Sequence, residues 1–292
     1  MNKFDRNTWT YGAEIEWGDV DRNLILPPEL GSWEYSETDV ININPGPYQF
    51  VACDPLGTTP SMGGEINMIP THTTAKQVEN IMMLLKWFRG QGNDPTPSSV
   101  SHLHIHVRIP GLRDDIDALH RLAKYIRDSQ EIVIPFVSRY YDHPSFKKFP
   151  GALSYYKYDG GRRVPQWMSN NMMKAKDFDD FIKMHAAGKD GVSMGRPFRY
   201  AINTYCMKHI DTIEFRMFRA SIDYSQIKTC FDFVQSFMNA ALNTGEDISE
   251  ILFGYEKTHF PPMIFRDAEY IGWQKTKHPK ERGKKVRTFH DI

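Results

Sequence analysis

The stretch GAEIEW, Gly12 to Trp17, decides how this chain is read. Around it, Tyr11, Ala13, Ile15 and Trp17 alternate with Gly12, Glu14 and Glu16, the period-two pattern of a strand with one buried face. On such a strand Glu14 and Glu16 point the same way, where like charges repel. Other parts of the chain must offset that repulsion if the strand forms.

Working outward, PYQFVAC and GGEINMI read as two more strands, the second placing Glu65 and Asn67 on one face and Ile66 and Met68 on the other. In VSHLHIHVRIPG, Leu103, Ile105 and Val107 alternate with His102, His104 and His106, a strand with a histidine face. FRYAINTYC and DTIEFRMF form a predicted hairpin through Lys208 to Asp211, whose second arm sends Thr212, Glu214, Arg216 and Phe218 to one face. Residues 18 to about 46 lack a sustained period and read as a long loop with at most short strands.

Between these strands the period changes to that of helices. From Thr74 the motif TAKQ predicts a capping box with Gln77, followed by Val78, Ile81, Leu84, Leu85 and Phe88 at helical spacing until Gly90. A second amphipathic helix is predicted over 113 to 129, and a third from about Ser225 to Asn243, closing near Gly245. Residues 139 to 197 are the least regular, dense in Tyr, Lys, Arg and Gly, with one short helix near 177 to 186. They are expected to form a mobile functional insertion. Grouped strands, interspersed helices and a hairpin favour α+β with a mainly antiparallel sheet over a doubly wound fold. One domain over residues 1–272, followed by a basic tail over 273–292, is the expected organisation.

The chain has 292 residues and is 40% hydrophobic, enough for a sizeable core. Lys plus Arg equal Asp plus Glu at 36 each, so no global field marks a nucleic-acid or membrane binder, and any charge logic is local. Cys53, Cys206 and Cys230 are odd in number and widely spaced, which fits a reducing, cytoplasmic compartment. The first residues lack an apolar signal core and no run is long enough to span a bilayer, so a soluble protein is expected.

Taken together, the polar faces carry Glu14 and Glu16, Glu65 and Asn67, His102, His104 and His106, and Glu214 and Arg216. A solvated outer face explains any one of these strands alone. The combined set is carboxylates and imidazoles, which are ligands of divalent cations. Magnesium takes oxygen donors and manganese also accepts imidazole, so a concave face lined by Glu14, Glu16, Glu65, Glu214 and a histidine suits one or more such ions. A strand-borne zinc site would have fewer glutamates. A dication between paired carboxylates is worth several kcal/mol even at an effective dielectric near ~20, which outweighs their repulsion. His104, mid-strand, is the first choice as ligand and His106 the second, with His102 expected to be exposed. Arg216 beside Glu214 fits a bridging phosphate. Neither a Walker A pattern nor GxGxxG after a strand occurs, so a nucleotide would be held by metals and arginines.

In that order, YGAEIEW, GGEINMIPT, SHLHIHVRIPG and RYAINTYCMKHIDTIEFRMF resemble the motifs of the amidoligase family, in the carboxylate-amine ligase superfamily of glutamine synthetase and glutamate-cysteine ligase. The resemblance runs from about residue 10 to 225. It implies a curved antiparallel sheet with helices on its convex side, binding ATP and two or three magnesium or manganese ions on the concave face. By position it makes Glu14 and Glu16 the paired metal glutamates, Glu65 the next metal ligand and Glu214 the last. His104 becomes the metal- or nucleotide-associated histidine and His106 its partner. Arg216 matches the arginine that touches the transferring phosphate, and Arg199 and Asn203 match a polar pair before Glu214. His102 replaces a small residue, and FRASID departs from the usual ending, so that Arg219 is introduced there and could bind a carboxylate or phosphate.

The implied chemistry has two steps. A substrate carboxylate attacks the terminal phosphate of ATP, and an amine then displaces phosphate to form an amide, with a loop carboxylate or His106 as candidate proton acceptor. Small-molecule or peptide acids and amines are the expected partners, with nucleic acid not indicated. Arg139, Arg162 and Arg163 in the insertion are placed to cover the phosphates, although solvated loop arginines explain them as well. Two alternatives stand beside this reading: an inactive ligase-fold scaffold using its basic tail, and a metal-dependent hydrolase.

Overall fold

In the computed structural model, which describes residues 4–21, 24–33, 62–97, 101–138, 163–186 and 200–262, GAEIEW lies within the central strand β1 (Thr10–Asp21). The others are β2 (Gly31–Trp33), β3 (Met62–Met68), β4 (His102–Arg108), β5 (Ile202–Asn203) and β6 (Ile213–Arg219). They form one six-stranded sheet in the order β2-β3-β1-β4-β6-β5, every neighbouring pair antiparallel. The α+β class with an antiparallel sheet is therefore the observed one. The predicted strand at PYQFVAC and the basic tail lie outside the described residues.

Strict alternation puts Tyr11, Ala13, Ile15 and Trp17 in the core with Ile66, Leu103, Ile105, Val107, Ile213 and Phe215. Helices α1 (Thr74–Gly90), α2 (Ile116–Val137) and α6 (Tyr224–Asn239) contribute their apolar stripes to the same core. Phe88 of α1 meets Trp17 edge-on at 6.3 Å, and Phe237 of α6 meets Phe215 at 5.5 Å. Edge-to-face pairs of this kind add about 0.5–1.5 kcal/mol beyond the area buried. With the apolar face of the sheet covered this way, the glutamates and histidines necessarily share the other.

Several predicted boundaries move. The N-cap of α1 is Thr73, one residue before the predicted box, and its hydroxyl accepts from the Lys76 amide at 3.2 Å. Helix α2 starts on Asp115, which caps Ala118, and runs eight residues past the predicted end. Val133, Ile134 and Val137 continue the buried stripe, and their burial outweighs the hydrogen bond lost at Pro135. Helix α6 starts on Asp223, passes through a π turn at Ala240–Thr244 and stops at Gly245, whose φ is +70°.

The predicted hairpin has a first arm of only two residues. Asn203 accepts from the Tyr205 amide and coils Thr204–Cys206 into a 3-10 turn, which leads into the short helix α5 (Met207–Ile210). Asp211 then turns the chain into β6 with φ +58°, held by Arg108 at 2.9 Å and Arg113 at 3.8 Å.

The described part of the predicted insertion is a helical pair. Helix α3 (Gln166–Met172), which the sequence did not suggest, and α4 (Phe178–Ala186) pack on α2. Gln130 of α2 fixes the approach to α3 by donating to the Val164 carbonyl at 2.7 Å and accepting from its amide at 2.8 Å. The final helix, α7 (Ile248–Phe253), packs on α6. No helix among the described residues is long and apolar enough to cross a membrane.

Strand β6 departs from alternation. It pairs Phe215 with Ile105 but Phe218 with Leu103, so β6 spends three steps where β4 spends two. The extra residue is a β-bulge at Arg216–Met217. Phe218 is thereby turned into the core, where it stacks on Phe260 and meets Phe233 edge-on, instead of sharing a face with Glu214 as the alternation predicted. Arg219 takes the polar face in its place, opposite His102.

Candidate metal centre

The register of the ladders assembles the site. Glu14 opposes His104 on one side and Asn67 on the other, Glu16 opposes Glu65, and His106 opposes Glu214. Residues directly opposite on one face have Cβ atoms about 4.5–5.5 Å apart. Four separate strands therefore bring Glu14, Glu16, Glu65, His102, His104, His106, Glu214, Arg216 and Arg219 onto one face. Eight of these nine are buried, Glu14 being intermediate.

Glu14 sits at the centre. Its Oε2 is 2.9 Å from Nδ1 of His104, and its Oε1 is 3.0 Å from Nε2 of His106. Nδ1 of His104 also lies 3.9 Å from Glu65 and 3.8 Å from Glu214. Three triads present ligand atoms within 4.8 Å of one another: Glu14 with Glu65 and His104, Glu14 with His106 and Glu214, and Glu16 with His102 and His104. Among the described residues, Nε2 of His104 is buried without a hydrogen-bond partner. The donor set of carboxylate oxygens and imidazole nitrogens fits manganese, and its oxygens fit magnesium.

Around the centre, further contacts orient the ligands. Thr212 Oγ1 lies 3.0 Å from Nδ1 of His106, which leaves Nε2 aimed at Glu14. Asn203 donates to Oε2 of Glu214 at 2.8 Å, and the Cys206 thiol lies 3.1 Å from the same oxygen. Arg216 pairs with Oε1 of Glu214 and approaches His104 at 3.5 Å. Asn203, which the resemblance pairs with Arg199 ahead of Glu214, holds that carboxylate. Cys206 and Thr212 were not assigned from the sequence. Thr212 was visible on the correct face, whereas nothing in the spacing of Cys206 marked it.

The site also balances its own charge. Burial pushes the Glu214 carboxyl up, but the Arg216 guanidinium and the His106 and His104 rings pull it down to about 2. Burial likewise opposes ionisation of Glu14, yet His106 and His104 hold it well below the usual range. Burial and Arg216 lower His104, whereas for His106 the neighbouring Glu14 and Glu214 overcome burial and raise it. Burial raises Glu16. Four carboxylates against two guanidiniums leave a carboxylate excess on this face, which favours divalent cations.

His102 corrects an expectation. Predicted exposed, it is only 5% accessible and linked to both Glu16 and Arg219. Arg163 pairs with Glu131 of α2 at 2.6 Å and is not brought to the acidic face. Arg139, Arg162 and Arg199 lie outside the described residues.

No family model matches the chain, and no curated protein is similar to it in sequence. Among solved structures it is similar to a bifunctional glutathione synthetase from Pasteurella multocida, with a TM-score of 0.41 and 13% identity. The match covers 89% of this chain and 41% of that one, so the chain spans less than half that protein's length. The functional reading therefore comes from the site itself.

Proposed function

We propose that the chain is an ATP-dependent carboxylate-amine ligase of the amidoligase kind, with a glutamine-synthetase-like catalytic domain through residue 272, acting in the cytoplasm. The observation that supports this most is the convergence of Glu14, Glu65, Glu214, His104 and His106 around the shared Glu14 carboxylate, with Arg216 between Glu214 and His104.

In this reading Glu14, Glu65 and His104 hold one magnesium or manganese ion, and Glu14, His106 and Glu214 hold another, with Glu16 completing the acidic wall. Bound there, the ions supply charge neutralisation for the phosphates of ATP. Arg216 is fixed by Glu214 and so offers a preorganised guanidinium to the transferring phosphoryl group. Asn203 keeps Glu214 in one rotamer, and Thr212 keeps Nε2 of His106 on the ligand side. Of the two roles expected for His106, its closeness to Glu14 favours ligation over proton transfer. Burial of the face keeps water from an acyl phosphate formed on the substrate acid.

The test supplies ATP and Mg2+ with a panel of amino-acid and short-peptide acids, using hydroxylamine as a general amine. A ligase forms hydroxamate and releases ADP and phosphate only when acid, amine and ATP are all present. Cleavage of the panel without nucleotide would instead establish a hydrolase.

A further inference from the structure

Away from the Glu14 centre, Glu16 of the acidic wall forms a file with His102 and Arg219, to which the ligase reading gives no role. The bulge in β6 sets Arg219 opposite His102, where it is 1% exposed and its NH1 lies 3.1 Å from Nε2 of His102. On the other side of the ring, Nδ1 lies 3.1 Å from Oε2 of Glu16, and that oxygen also accepts from the His102 backbone amide at 2.8 Å.

Donor and acceptor rules fix this arrangement. A guanidinium has only N–H donors, so Nε2 of His102 must be the acceptor. A ring whose Nε2 accepts carries its hydrogen on Nδ1, which donates it to Oε2 of Glu16. The ring is therefore the neutral Nδ1–H tautomer, and both its nitrogens are engaged.

We propose that His102 is a positioning residue that orients Glu16 for cation binding and couples it to the bulge-delivered Arg219. The Glu16, His102 and His104 triad is then not a cation site in its own right. One oxygen of Glu16 is committed to β4, and Glu16 reaches a cation through the other. This assignment rests on the reading of the acidic face as a metal centre, but not on the ligase reaction.

Two measurements without ATP or substrate test it. The first is the 15N spectrum of the histidine side chains in the metal-free wild-type protein at neutral pH, with His102 assigned by through-bond correlation. A protonated Nδ1 and a bare Nε2 are expected, and a protonated Nε2 overturns the proposal. The second compares Mn2+ affinity, by electron paramagnetic resonance, in His102→Asn and His102→Gln. Asn places an amide where Nδ1 lies and keeps the donor to Glu16, whereas Gln places its amide where Nε2 lies and keeps only the Arg219 side. Loss of a partner that orients a ligand typically weakens metal affinity 10–100-fold, so Gln should cost at least about ten-fold and Asn less than about three-fold. Equal losses, no loss in either, or the reverse order overturn the proposal. Where the variants fail to fold, the wild-type tautomer decides alone. A protein that shows the tautomer and the Gln-specific loss but forms no hydroxamate refutes the ligase reading and leaves this one standing.

Discussion

Glu14 and His104 face each other across the β1–β4 ladder, with Nδ1 of the ring 2.9 Å from Oε2 of the carboxylate. The second Glu14 oxygen serves His106 at 3.0 Å. One side chain thus belongs to two of the three possible ligand triads, and it resolves the apparent repulsion in GAEIEW. Glu14 is offset by imidazoles on β4, and Glu16 by the His102 backbone and ring.

Sharing of Glu14 makes its replacement unlike any other. Glu14→Gln should weaken Mn2+ at both positions, and Glu65→Gln at one, each by at least about ten-fold, the lower bound seen even for partners of ligands. Isothermal titration of the metal-free protein separates the two patterns. The metal-free melting temperature of Glu65→Gln should stay within a few degrees of wild type, and a large fall would make Glu65 a structural residue.

Arg216 is buried against Glu214, so its loss has a structural consequence that a phosphate-binding role alone would not have. Arg216→Met strands a buried carboxylate and should cost about 3–5 kcal/mol in urea unfolding. Arg216→Lys retains the charge but not the planar fork, and should cost far more in hydroxamate turnover than in ATP affinity. Equal losses in both would count against its role at the transferring phosphate.

Stability of the metal-free protein should peak near pH 6.5. His185 is buried on α4, with Nδ1 2.6 Å from Thr204 Oγ1, and burial lowers its pKa to about 4. Its unfolded state takes up a proton first, so stability falls as pH drops from 6.5 toward 4. Glu214, depressed to about 2, contributes stability that is complete above 4.5 and is lost as pH falls toward 2. His106 has the opposite sign. Raised above 6.5, it stabilises fully below that value and loses its contribution as pH rises through its folded pKa. Urea midpoints against pH check this, and His185→Phe should remove the slope between 6.5 and 4.

The thiols of Cys206 and Cys230 should resist reagents that need a thiolate. Burial raises both, and Glu214 adds to the effect at Cys206. At pH 8 both should react with a disulfide reagent far more slowly in the native protein than in guanidinium, read as the release of thiolate chromophore over time.

Much of this was legible in the sequence because period-two alternation survives wherever strands are long and one face is apolar. Tyr11 to Trp17 and Leu103 to Val107 show it without interruption, so the acidic and imidazole face followed directly. Alternation fails at a bulge, which no local pattern announces. The regular spacing of IEFRMFRA, Ile213 to Ala220, therefore hid the exchange of Phe218 for Arg219, and with it the role of His102. The ending of α2 was missed because Pro135 and the polar residues before it mask a stripe that only tertiary burial reveals. The short arm at Asn203 was missed because its amide side chain competes with the strand for backbone partners.

The central claim is that the buried acid and imidazole face holds divalent cations through a shared Glu14. Electron paramagnetic resonance of metal-free protein titrated with Mn2+ tests it most directly. Two bound ions per chain, both weakened in Glu14→Gln, is the predicted result. No bound ion at millimolar Mn2+, or binding that Glu14→Gln leaves unchanged, would contradict it.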